Sequence, residues 1–139
     1  MFLLDTDVLS ELRKGNSNKA NENVINWARL QSPNQLYISS ITILEIEMGI
    51  LIKERKDPKQ GKMLRHWIES HILKVFSERT LPIDTNVARK CAALHVPNPK
   101  SERDALIAAT ALVHGMTLVT RNTKDFSSTG VDLINPWES

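Results

Sequence analysis

The sequence predicts an α/β chain with three α/β/α layers around a central parallel sheet of four to five short strands. Two observations carry this. Short apolar runs of strand length alternate along the whole chain with longer segments whose apolar residues recur every three or four positions. One of the longer segments, DALIAATALVH from Asp104 to His114, is apolar on nearly every side, as a helix buried between other elements is.

The elements follow in order. Residues 1–5 form an apolar strand ending in an aspartate, and Asp7 is expected to cap a helix running to about Lys14. GNSNKANEN is polar and loop-like. Val24, Ile25, Ala28 and Leu30 then mark a short amphipathic helix that stops before Pro33. Leu36–Ser39 is a second strand, and Thr42–Arg55, dense in apolar residues with a charged finish, is a helix packed on the sheet. Lys62–Phe76 is helical through Leu64, Trp67, Ile68, His71, Ile72 and Val75. Thr80–Ile83 is a third strand, and Asp84 caps a helix to about His95. VPNPKSE interrupts with two prolines, and Thr117–Thr120 and Val131–Ile134 supply two further strands. With no repeat or linker, residues 1–139 are expected to form one domain.

Composition excludes several classes. With 41% hydrophobic and 24% charged residues the chain is near globular averages, and no apolar run reaches the roughly 20 residues of a membrane-spanning helix. MFLLDTDVLSELRK places an aspartate, and no basic residue, at the start of its apolar stretch, the reverse of a secretory signal; cytoplasmic residence is expected. Cys91 has no CxxC partner and is expected in a helix core. His66, His71, His95 and His114 lack zinc-ligand spacing and are expected at surfaces or helix ends. A net charge of +2, from 18 basic and 16 acidic residues, argues nothing about nucleic acid, so any such argument must be local.

The carboxylates are more informative. In a parallel sheet, ligands bind beyond the carboxyl ends of the strands. Asp5 ends the first strand, Glu45 lies in the first turn of the helix after the second, Asp104 opens the apolar helix, and Asp125 follows TLVT. Four carboxylates converging on one edge would repel one another unless cations neutralised them, and hard ions with oxygen ligands suit that role. One or two Mg²⁺ or Mn²⁺ ions would fit. Such ions lower the pKa of a water and stabilise charge on a phosphorane, so phosphodiester hydrolysis is the expected reaction. Each residue also has an ordinary structural reading. Thr42-Ile43-Leu44-Glu45 and Ser101-Glu102-Arg103-Asp104 have capping-box spacing, Asp7 resembles an N-cap, and Asp125 would suit a turn.

LLDTDVLSEL, SSITILEIEMG, RDALIAATA and LVTRNTKDF, in that order, resemble the four motif blocks of PIN-domain toxins of the VapC and FitB type, across almost the entire chain. The closing GVDLINPW is similar to the last strand of FitB-like members. The resemblance implies a PIN-like fold and a metal-dependent ribonuclease with acidic positions at Asp5, Glu45, Asp104 and Asp125. It implies that Thr6, Thr120 and Asn122 orient ligands or water. It also implies a homodimer, an RNA substrate, a cognate antitoxin in the active-site groove, and a larger toxin–antitoxin assembly on operator DNA. Asp7 departs from the pattern, since many members have asparagine there; it would bind metal through water or, the favoured reading, cap the helix.

Arg103 and Arg121 flank site residues, with Lys100 and Lys124 nearby, and would contact RNA phosphates or simply offset the carboxylates. The basic stretch from Lys53 to Arg65 is interrupted by Glu54 and Asp57 and suits a solvated helix face. Trp27, Trp67 and Trp137 form no evident stacking platform and are expected in packing or dimer contacts. Two other functions stay open. Asp5 and Asp7 have the Asp-x-Asp spacing of haloacid-dehalogenase-like phosphatases, although the chain is short for that class and the usual glycine-threonine continuation is missing. A catalytically silent module acting through a DNA-binding partner is the other; retention of all four carboxylates argues against it.

Overall fold

The computed structural model describes residues 1–15 and 17–138. Asn16, within the polar segment expected to be a loop, and Ser139 lie outside the described residues. The chain runs β1 (Phe2–Leu4), α1 (Thr6–Arg13), α2 (Glu22–Arg29), a 3₁₀ turn (Pro33–Gln35), β2 (Leu36–Ser39) and α3 (Ser40–Lys56). It continues through α4 (Pro58–Trp67), a π-helical turn (Ile68–Ile72), α5 (Leu73–Val75), β3 (Thr80–Leu81) and α6 (Thr85–Leu94). It closes with α7 (Glu102–His114), β4 (Thr117–Val119), α8 (Thr123–Phe126) and β5 (Leu133–Ile134). No helix among the described residues is long and apolar enough to cross a membrane.

The five strands pair in parallel in the order β3-β2-β1-β4-β5. The alternation of strand side chains divides the apolar residues between two layers. Leu3 and Leu118 face one core with Ile41, Ile107, Ala108, Ala111 and Phe126. Leu4 and Val119 face the other with Val8, Ile38, Ile46, Ile50, Ile68 and Ile72. The helices therefore cover both faces, as the alternation of elements predicts. The strand order reverses between β1 and β4, which makes that junction the switch point where crevices open in such sheets.

α7 is the buried helix, with Ala105, Ile107, Ala108, Ala109, Thr110 and Ala111 all inaccessible. Gly115, at φ +64°, ends it in the left-handed conformation that a side chain disfavours. α3 and α4 cross closely at Gly61, where an added Cβ would stand 2.6 Å from the Glu54 Cα. Cys91 is buried in α6, and Asp84 caps that helix by accepting from the Val87 amide, both as expected.

Three capping expectations are corrected. Asp7 does not cap α1: that position belongs to Asp5, whose backbone is still extended and whose carboxylate accepts from the Thr6 amide. Thr42 does not open α3, because Ser39 caps it one turn earlier by accepting from the Ile41 amide, and Glu45 therefore falls in the second turn rather than the first. Ser101 stands at the N-cap of α7 but its hydroxyl makes no capping bond, so the box with Asp104 does not form. The fourth helix also starts earlier than Lys62, since Asp57 caps it by accepting from the Gln60 amide and Pro58 has a fixed φ that suits a first helical turn.

Candidate metal centre

Asp5 is the anchor of the carboxyl edge. It leaves β1 at the switch point, donates its amide to the Val119 carbonyl of β4 at 2.9 Å, and is only 7% exposed. Its two carboxylate oxygens are held separately: one accepts from the Thr6 amide at 2.8 Å, the other from the Thr120 hydroxyl at 2.8 Å. Thr120 is fully buried, and its oxygen accepts from the Asn122 amide at 3.1 Å, which directs the hydroxyl proton toward the carboxylate. Thr6 reaches the other way and donates to Glu45 at 2.6 Å. α1, α3 and the turn after β4 are thus tied through two threonines to one aspartate.

Asp7 stands beside this chain of bonds. One oxygen accepts from the Arg121 amide at 3.0 Å and lies 3.4 Å from the Thr120 hydroxyl. The other is buried with no hydrogen-bond partner among the described residues, an uncompensated acceptor of the kind folded proteins rarely leave. Asp7 is therefore a strut between α1 and the β4–α8 turn.

The electrostatics describe a site short of positive charge. Burial, then the neighbouring Asp7 charge, raises the Asp5 carboxyl to about 7 against the opposing bonds from Thr120 and Thr6, with Glu45 adding to the rise. Asp7 is raised by burial, opposed by the Arg121 amide. Asp104, in the first turn of α7, is raised by burial and then by the charges of Asp125 and Glu45, with Arg103 opposing. Glu45 is thus the link: its charge acts on Asp5 from one side and on Asp104 from the other. Exposed Arg103 stands 3.8 Å from the partly buried Glu45 carboxylate. Asp125 is exposed in α8, a short helix rather than the turn considered above.

Among the described residues no three His, Cys, Asp or Glu side chains already converge into a closed ligand set. The fit to a hard divalent cation lies in the chemistry of the donors: acidic oxygens only, mutually repelling, with an orphaned buried acceptor at Asp7. Asn122 contributes through its backbone amide, and its side chain does not cap α8. The Lys100 ammonium lies 3.5 Å from the Asn98 carbonyl, and Lys124 is exposed on α8 beside Asp125. Arg121 has its guanidinium over the Trp137 ring, a pairing unrecognised from sequence because the two residues lie sixteen positions apart.

The profile described as PIN domain matches residues 2–131. The chain is 35% identical over 143 residues to VapC ribonuclease Y4jK of Sinorhizobium fredii, covering 99% of each. It is similar to a solved structure of FitAB bound to an IR36 DNA fragment, with a TM-score of 0.89 and 33% identity over 100% of this chain and 97% of that one. It is also similar to a toxin–antitoxin complex from Klebsiella pneumoniae, with a TM-score of 0.68 and 28% identity over 100% of both chains. A parallel sheet in this order, a carboxylate edge at its switch point and a match over nearly the full length together place the chain in the PIN-domain family.

Proposed function

We propose that this chain is the toxin of a type II toxin–antitoxin pair and that it hydrolyses RNA phosphodiester bonds as a divalent-metal-dependent endoribonuclease. The observation that carries the reading is the under-compensated run of carboxylates, Asp5 bound through Thr6 to Glu45, and Glu45 and Asp125 acting in turn on Asp104. Asp5, Glu45, Asp104 and Asp125 would hold one or two Mg²⁺ or Mn²⁺ ions. When bound, such an ion supplies counter-charge to the phosphate and lowers the pKa of the attacking water.

The chain's own residues do the positioning. Thr120 and Thr6 fix the faces that Asp5 and Glu45 present, and the Asn122 amide fixes the Thr120 hydroxyl. Asp7 holds the β4–α8 turn through the Arg121 amide and so keeps Thr120 in place. Arg103, beside Glu45, and Arg121 provide phosphate contacts at the edge, with Lys100 and Lys124 as further candidate contacts. The phosphatase reading is disfavoured by the match to the PIN-domain family over residues 2–131.

Partners follow from the same reading. A cognate antitoxin would occupy the carboxylate groove, and the pair would assemble on operator DNA in the cytoplasm. A homodimer is supported by Leu44, Met48, Leu51 and Ile52, exposed together on α3 at helical spacing. The test is cleavage of single-stranded RNA by purified protein with Mg²⁺ or Mn²⁺, and its loss with EDTA. Full cleavage in excess chelator would overturn the mechanism, and no cleavage under any condition would leave the silent-module reading in its place.

A further inference from the structure

The family match ends at residue 131, yet the chain beyond it is built against the carboxylate edge. Past β5, Asn135 accepts from the Trp137 amide at 3.0 Å and donates to Glu138 at 3.4 Å. The Trp137 carbonyl accepts from the Asn23 side chain of α2 at 2.9 Å. These bonds fix the Trp137 backbone, and its half-buried side chain packs against the core that holds Leu4 and Val24. Over its ring, 5.4 Å from the centroid, lies the guanidinium of Arg121. The backbone amide of the same arginine binds Asp7, and its charge acts on that carboxylate. Arg121, Asn122, Lys124, Asp125, Asn135 and Glu138 line a hollow of about 340 Å³ that includes one of the proposed ligands.

We infer that Trp137 is a positioning residue for RNA: it holds the Arg121 guanidinium as a flat shelf that binds the backbone phosphate of a nucleotide adjoining the scissile bond. This rests on the ribonuclease reading above. An arginine free in solvent loses side-chain entropy when it clasps a phosphate, whereas one already laid on an indole has lost much of it beforehand. The stacked plane leaves the N–H edge for bidentate contact with phosphate oxygens. Lys124 adds a second cation in the same hollow, and the Glu138 carboxylate that shares it is engaged by Asn135.

The experiment is steady-state cleavage of a fluorogenic single-stranded RNA oligonucleotide by the full chain with Mn²⁺. Arg121→Gln should raise KM about tenfold while kcat stays within about twofold, and lower the slope of log affinity against log salt by about one. Trp137→Ala should reproduce the KM effect, Trp137→Phe should recover most of it, and Trp137→Ala with Arg121→Gln should be no worse than Arg121→Gln alone. A folded Trp137→Ala with wild-type KM, or single effects that multiply in the double variant, would overturn the shelf. If Trp137→Ala does not fold, Arg121→Gln decides alone, and a wild-type KM there refutes the inference. Wild-type protein that cleaves no RNA would overturn the ribonuclease reading and this inference with it, whereas cleavage with unmoved variant KM values overturns the inference alone.

Discussion

Glu45 and Glu47 stand two residues apart on α3 and meet opposite surroundings. Glu47 accepts from Arg65 at 2.7 Å, and the same guanidinium bonds Glu54 at 3.3 Å and approaches Glu69 at 4.0 Å. These bonds from Glu54 and Glu47 hold Arg65 firmly in its charged form. Glu45 has a hydroxyl on one oxygen, an exposed arginine 3.8 Å from the other, and two carboxylates whose protons its charge helps retain. The paired face tethers α4 to α3; the other, offset only by the longer Arg103 contact, keeps charge in need of a partner. What distinguishes a binding carboxylate from a structural one here is compensation, which sequence spacing does not reveal.

The largest expected effect separates those two faces directly. Glu45→Gln should remain folded while RNA cleavage falls by about two orders of magnitude, since a neutral amide is a poor ligand for a hard ion. Glu47→Gln should leave turnover near wild type in the same assay. Cleavage by Glu45→Gln at wild-type metal concentrations would show that Glu45 is not a ligand. Asp104→Asn should also lose cleavage, with metal-free stability unchanged or raised by about 0.5 kcal/mol at most, because like-charge repulsion is relieved at a partly exposed site. A loss of roughly 2 kcal/mol would instead assign Asp104 a structural role.

The next effect concerns pH in the presence of chelator. The folded chain holds the Asp5 proton up to about 7, while the unfolded chain releases it near the ordinary aspartate value of 3.8. Between these the unfolded state binds fewer protons, so this group makes stability fall as pH rises through that window, by an amount on the order of a few kcal/mol that is complete above it. Asp5→Asn should flatten the slope, because Asn keeps an acceptor for the Thr6 amide and Thr120 can still donate to Asp7. Urea titrations from pH 4 to 8 would measure this, and a wild-type slope of opposite sign would refute it.

On the paired face the effects are on packing. Gly61→Ala should destabilise by about 2 kcal/mol in urea unfolding, because the new methyl meets the Glu54 backbone, which a side-chain movement cannot clear, as well as its Cγ. Unchanged stability would mean that the two helices separate freely. Arg65→Met should have the smallest effect, a modest fall in Tm that added salt erases, with RNA cleavage intact. Loss of cleavage with retained fold would erase the distinction between the two faces.

Periodicity was enough to place the five strands and the longer helices, though not short α8 or the start of α4, because each of these buries a stripe whose repeat is written into the chain: Leu3 and Leu4 already announce a strand covered on both sides. The caps were less legible. Ser39, Thr42 and Ser101 all have the chemistry of a cap, and which one serves depends on where the preceding strand stops. The cap expected at Asp7 falls to Asp5 for the same reason: β1 ends at Leu4, so the aspartate immediately after it is the extended residue that can cap.

By itself the sequence determined the α/β layering, the parallel sheet, the apolar α7 and the positions of the acidic residues at element ends, since all of these follow from local repeats and chain order. Tertiary structure alone decided which carboxylates share a field, that Thr6 would join Asp5 to Glu45 across 39 residues, and that Arg121 would lie on Trp137. Those pairings arise where β1 and β4 meet and the tail after β5 returns to α2, and a local pattern carries no record of which distant segments the sheet will make neighbours.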